Sequence, residues 1–260
     1  MIKLFKEIYQ YRELLYTSIK KDIRGKYKGS VLGILWSFLN PLLQVFVYYL
    51  VFPYLMGNVI DNYLIYLITG LIPWTFFLTT VQQGTRAIKD NAGIVKKVYF
   101  PREILLISQV CSGLINFFIS CIIILIFCLG AGVGISIHVL AVPVIAVVQA
   151  LLTLGIILIL SAVEVYIQDL EYIVQFVLQM GFYAAPVIYP LKMFSKAGIL
   201  LTIIKCNPLT LLLNGYRNCF LYHAWPNWFA LAAVLLLALI VCAVGFWVFG
   251  SLQKNFAEEL

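Results

Sequence analysis

From Ile104 to Val163 the chain runs through sixty consecutive residues without a single Asp, Glu, Lys or Arg. Few features limit a fold so severely. A bilayer's hydrocarbon core is about 30 Å thick and a helix rises about 1.5 Å per residue, so about 20 apolar residues span it. Sixty residues are too many for one helix, and the run breaks at Gly130-Ala131-Gly132-Val133-Gly134 into two. Four more uncharged runs cover Val31–Ile60, Asn62–Thr85, Tyr172–Leu191 and Asn218–Gln253. Only 11% of the chain is charged and its mean hydropathy is +1.00, whereas a soluble domain carries roughly 25% charged residues. The expected fold is therefore an all-α integral membrane protein. Six transmembrane helices are expected near 31–55, 63–85, 104–129, 139–163, 172–190 and 227–250. A β-barrel would instead show segments of about ten residues with alternating polarity. The first 28 residues are too charged to hold the apolar centre of a cleavable signal peptide.

Lys and Arg concentrate on the cytoplasmic side of membrane proteins. With six spans, fourteen of the eighteen basic residues fall on one side and four on the other. The four are Lys192, Lys196, Lys205 and Arg217. Both termini are expected in the cytoplasm of a multi-pass protein of the cell inner (cytoplasmic) membrane. The net charge of +7 follows topology, so it implies contact with membrane lipids and gives no reason to expect a nucleic-acid partner.

Three segments are not spans. Residues 2–24 alternate apolar and basic positions at helical spacing, as a helix lying in the membrane surface does. Segment 86–103 is too polar to cross, yet it carries the aromatic pair Tyr99-Phe100 before Pro101, which suggests a contact surface in a cytoplasmic loop. Segment 191–226 holds two apolar stretches, Ile199–Ile204 and Leu209–Leu213, each too short to span. Short re-entrant or interfacial helices suit them, tolerated where protein covers their backbone.

Catalytic patterns are missing. There is no phosphate-binding Gly-rich loop ending in Gly-Lys-Ser/Thr and no His-Glu-x-x-His. The carboxylates nearest the membrane, Glu164, Asp169 and Glu171, cluster at a short inner turn rather than mid-bilayer. A coupled ion carrier or a membrane transferase would need ionisable groups deeper in. The expected interior is aromatic and weakly polar: Trp36, Asn40, Gln44 and Tyr48 in the first span, and Gln179, Tyr183 and Tyr189 in the fifth. Such a stripe suits a passage for sugars; helix packing and interfacial belts would account for it equally.

Five stretches occur in a telling order: Asp22 through Pro41, Gly70-Leu-Ile-Pro-Trp-Thr-Phe-Phe77, Val98-Tyr-Phe-Pro-Arg-Glu103, Ala185-Pro-Val-Ile-Tyr-Pro190, and Asn207-Pro208 through Arg217. With them the chain resembles, over nearly its whole length, the ABC-2 permeases that export polysaccharides. The resemblance implies a cytoplasmic amphipathic interface helix at 1–28 and a permease domain at 29–260. It implies a homodimer of this chain working with two copies of an ABC ATPase subunit, with ATP and Mg bound on that partner and no cofactor here. Val98, Tyr99, Phe100, Pro101, Arg102 and Glu103 would contact the ATPase. Trp36, Asn40, Gln44, Tyr48, Gln179, Tyr183 and Tyr189 would line the channel, and Asn207, Pro208 and Arg217 would belong to an outer gate at 191–226. The substrate would be a lipid-linked polysaccharide, O antigen or a similar surface glycan. The alternatives are a wall teichoic acid or capsule exporter, a drug or small-lipid exporter, and, from another class, a membrane-embedded glycan or lipid transferase. One departure stands out: Gln168 precedes Asp169 where many relatives carry Arg.

Overall fold

The computed structural model describes residues 9–25, 36–56, 61–191 and 198–260. Lys3, Lys6, Lys26, Lys28, Lys192, Lys196, the first turns of the amphipathic segment and the first residues of the first expected span lie outside them. Every regular element among the described residues is helical. In chain order these are α1 (Arg12–Gly25), α2 (Trp36–Met56), α3 (Tyr63–Asp90), the single turn α4 (Ala92–Val95) and α5 (Glu103–Gly130). A 3-10 turn (Ile137–Ala141) leads into α6 (Val142–Glu164), followed by α7 (Leu170–Ala184), α8 (Ile199–Cys206), α9 (Pro208–Phe220), α10 (Trp228–Leu252) and the terminal turn α11 (Phe256–Glu259).

Four of these elements, α3, α5, α10 and the continuous stretch Ile137–Glu164 containing α6, are long and apolar enough to cross a bilayer. The first expected span corresponds to α2, whose apolar centre runs Leu39–Phe52. The fifth differs more. Helix α7 has only 15 residues and ends at Ala184, six residues before the expected 190. Proline explains the stop: Pro186 forces the residue before it out of helical geometry, and Ala185 is extended at φ −105° and ψ 142°. The expected break near 130–134 is present, with Gly132 and Gly134 in the left-handed region at φ +74° and +80°. Meanwhile α3 runs five residues past the expected 85, into the loop segment.

The centre of the molecule is α3, with 78% of its apolar window buried. Around it pack α2, α5, α6, α7 and α9. Helix α10 is 22% buried over its window, but it lies closely along α6. A Cβ on Gly155 would meet the Cys242 nitrogen at 2.6 Å, and one on Gly245 would meet the Gly155 carbonyl at 2.7 Å. Lipid supplies no hydrophobic drive between helices, so close backbone approach at small residues is what joins them. At buried depth a polar chain crosses the core. The Tyr216 hydroxyl donates to Gln149 Oε1 at 2.9 Å, and Gln149 Nε2 donates to the Pro73 carbonyl at 2.8 Å. An unpaired amide there would be costly, and this chain satisfies it while tying α9 and α6 to α3.

Candidate functional site

Three regions bring together the residues that the sequence singled out. The first is the base of the bundle, cytoplasmic in the expected topology. Residues 96–102 form a turn between α4 and α5, and the aromatic pair splits across it. Phe100 is 5% exposed and belongs to the core, whereas Tyr99 is 94% exposed and Val98 stands beside it in solvent. An exposed pair was expected; the fold turns one ring inward. The turn is held from behind by the C-terminus. The Arg102 guanidinium lies over the Phe256 ring at 5.4 Å and donates to the Gln253 carbonyl. Gln253 Nε2 donates to Glu103 Oε1 at 3.2 Å, and Tyr166 donates to the Leu252 carbonyl at 2.9 Å. Phe256 itself is fully buried against Tyr166 and Phe249. The sequence reading missed this brace, because nothing in the polar tail marks one phenylalanine as an anchor. A cleft of about 750 Å³ opens between the turn, the tail and the start of α1. Helix α1 is fixed beside it, with Lys21 Nζ donating to Asn91 Oδ1 at 3.0 Å and the Ser108 hydroxyl donating to Asp22 at 3.2 Å. Burial at that contact pushes the Asp22 carboxyl up, against the opposing pull of the Ser108 hydrogen bond and Lys21.

The second region is the flank made by α2 and α7. Tyr48 stacks on Phe182 at 6.0 Å, and Phe182 meets Trp74 of α3 edge-on at 5.8 Å. Beyond that aromatic seam both helices are open. Trp36, Asn40 and Gln44 are exposed on α2, and Gln44 Nε2 approaches the Tyr48 hydroxyl at 3.4 Å. On α7, Gln175, Gln179 and Tyr183 are exposed and follow one another at four-residue steps, so they share a face. Tyr189 does not join them. It is buried beyond the end of α7, and its hydroxyl donates to the Tyr183 carbonyl. The stripe ends at the same base, where Arg86 pairs with Glu171 at 3.2 Å and with Asp90 at 3.7 Å. Lys89 pairs with the buried Glu164 at 3.5 Å. Arg86 and Lys89 thus serve the α3–α7 and α3–α6 contacts, although the sequence reading placed them in the loop.

The third region is the cap at the opposite end of the bundle, the outer end in the expected topology. Asn207-Pro208 starts α9: the Asn207 side chain accepts from the Leu209 amide at 3.0 Å, and proline takes the first helical position, where no donor is lost. Along the same helix Arg217 is 1% exposed. Its Nη2 donates to the Val187 carbonyl at 2.8 Å and its guanidinium lies 3.6 Å from the Tyr66 ring centre. Tyr63 and Tyr66 donate to the carbonyls of Ile188 and Tyr189 at 2.9 and 2.8 Å. The backbone released by the end of α7 is thereby satisfied inside protein. Gly70 is required for it, since a Cβ would sit 2.6 Å from Arg217 Nη2. Cys206 is exposed and Cys219 buried, and both are free thiols.

Residues 13–221 match the family model described as ABC-2 type transporter. Over its full length the chain is 35% identical to the O-antigen export system permease protein RfbA of Myxococcus xanthus, covering 100% of both chains. Two proteins of that name from Klebsiella pneumoniae are 32% and 33% identical over 249 residues, 95% of each chain. An all-helical membrane bundle agrees with that match: the chain belongs to the ABC-2 type transporter family, as a membrane permease subunit.

Proposed function

We propose that this permease exports O antigen, the substrate in its relatives' names, or a similar surface glycan, in lipid-linked form and in a complex of two copies of this chain with two ATPase subunits. Both termini then face the cytoplasm, and ATP and Mg belong to the partner. The observation that carries this reading is the exposed row Gln175, Gln179 and Tyr183 on α7, with Asn40 and Gln44 exposed on α2, whose Tyr48 stacks on Phe182 of α7. Amide groups facing hydrocarbon would lose their hydrogen bonds at a cost of a few kcal/mol each. A face of this kind belongs against water, sugar or a second protein surface. Aromatic rings beside the amides offer weak stacking to sugar C–H faces, which lets a polymer slide. At the base, Tyr99 offers a solvent-exposed ring on a turn that is braced from behind, a suitable point for a moving ATPase to push.

The test uses single cysteines in a variant lacking the native six, assembled with its ATPase in membranes. A membrane-impermeant maleimide is expected to label Gln179→Cys and Gln44→Cys through an aqueous pathway. Trp247→Cys, on the 73% exposed face of α10, is expected to stay protected by lipid. Protection of all three positions overturns the pathway assignment.

A further inference from the structure

The pathway proposed above has an electrical character, and it narrows the substrate. Helix α2 carries no Asp, Glu, Lys or Arg, and α7 carries only Glu171. At the inner end of α7 lies a cavity of about 240 Å³ lined by Gln82, Thr85, Arg86, Glu171, Val174 and Gln175. Among the described residues the one cation in that lining, Arg86, is held by two carboxylates, Glu171 at 3.2 Å and Asp90 at 3.7 Å. The cluster therefore carries one net negative charge, and a two-fold partner would bring a second. Along α7 the side chains continue as the amides Gln175 and Gln179. Amides donate and accept hydrogen bonds without charge. They can exchange partners with passing hydroxyls, whereas an anionic group finds no unneutralised cation among the described residues here and meets repulsion from the carboxylates.

Resting on the glycan-export reading, we infer that the cavity beneath α7 is a polymer-binding mouth selective for electrically neutral glycan chains. It disfavours polymers with a carboxylate or phosphate in each repeat, such as polyol phosphates. The α2 and α7 faces extend that preference: a polyanion threaded between them leaves water without gaining a counter-charge among the described residues. The lysines of the loop at 96–97 do not line this cavity.

The experiment uses the full permease–ATPase complex in proteoliposomes and two polyprenyl-diphosphate-linked oligosaccharides of equal length. One is neutral and the other carries a uronic acid in every repeat. Because the lipid headgroup is identical, its charge cancels from the comparison. The neutral glycan is expected to move at least about tenfold faster, a ratio worth about 1.4 kcal/mol in the barrier. In the double variant Glu171→Gln with Asp90→Asn, and separately in Gln175→Lys, the gap is expected to close to about threefold or less through faster transport of the acidic glycan. Gln175→Lys removes no ion pair, so it reads the same property without disturbing the α3–α7 contact. Equal transport of both glycans by the unaltered complex overturns the inference and leaves the export reading standing. A gap that neither variant narrows removes the mouth as its cause. Transport of neither glycan by an assembled complex that hydrolyses ATP overturns the export reading and this inference with it.

Discussion

Helices α6 and α10 meet backbone to backbone, whereas α2 and α7 touch each other where Tyr48 stacks on Phe182, pack separately on α3, and leave most of their outer faces open. Yet α10 has the smallest buried share of the four long spanning helices, and it is the most apolar of them. Exposure alone thus has two meanings here. On α10 it is a uniformly apolar surface that hydrocarbon satisfies. On α2 and α7 it includes Asn40, Gln44, Gln175 and Gln179, which hydrocarbon cannot satisfy. The closely joined pair acts as a wall, and the loosely joined pair faces the place where something else must be.

The contrast breaks first at the glycines. Gly155→Leu forces a side chain into the Cys242 and Val241 backbone, where no flexible neighbour can yield. The cost should exceed the roughly 1–3 kcal/mol typical of overpacking a core. Loss of monodisperse protein in detergent, or a large drop in its unfolding temperature, is the expected result. A variant that remains as stable as the original means that α6 and α10 can slide apart. A smaller but still large loss is expected for Phe100→Ala, about 3–5 kcal/mol for a buried ring. Tyr99→Ala should shift stability by no more than about 0.5 kcal/mol. If Tyr99 docks the ATPase, removing it should weaken co-purification by about 2 kcal/mol or more. Thermal unfolding beside ATPase pull-down separates the two residues, and equal behaviour of the two variants would erase the distinction.

Next in size is Arg217→Leu. It leaves the Val187 carbonyl without its donor and removes the stack on Tyr66, for about 1–3 kcal/mol. The effect should localise to residues 185–190, read as faster hydrogen exchange there with little change in α6 and α10. Uniform exchange across the bundle would mean that the outer cap and the wall are one cooperative unit.

What the sequence made legible follows from which interactions act at short range. Span positions came from runs of uncharged residues, and the 63–85, 104–129, 139–163 and 227–250 expectations fall on α3, α5, α6 and α10. The end of α7 was misplaced because hydropathy continues through Val187 and Ile188, while Pro186 stops the helix by sterics. The role of Asn207-Pro208 as a helix start is a local capping pattern, present in the sequence but read there only as a gate motif. The burial of Phe100 beside an exposed Tyr99 could not be read at all. It depends on α5 and the tail arriving from far along the chain, as does the pairing of Arg102 with Phe256. The fate of Arg217 was hidden likewise: a lone arginine in an outer segment looks solvated until Val187 and Tyr66 are brought to it.

The smallest structural effect, and the sharpest test of the contrast, belongs to Gln179→Leu. The side chain is exposed on α7 and makes no intramolecular hydrogen bond among those described. If that face looked into lipid, leucine would suit it better, and the variant should gain stability and export normally. If the face lines an aqueous or glycan-filled pathway, stability should stay within about 0.5 kcal/mol while export falls, because one exchangeable partner for passing hydroxyls has been replaced by an apolar surface. ATP hydrolysis should persist, since the turn at 96–102 and its brace are far along the chain from Gln179. Measuring surface glycan, protein level and ATPase rate together decides between the two. A more stable permease with undiminished export would put α7 in the same class as α10, and the wall and the flank would then differ only in how tightly their backbones approach.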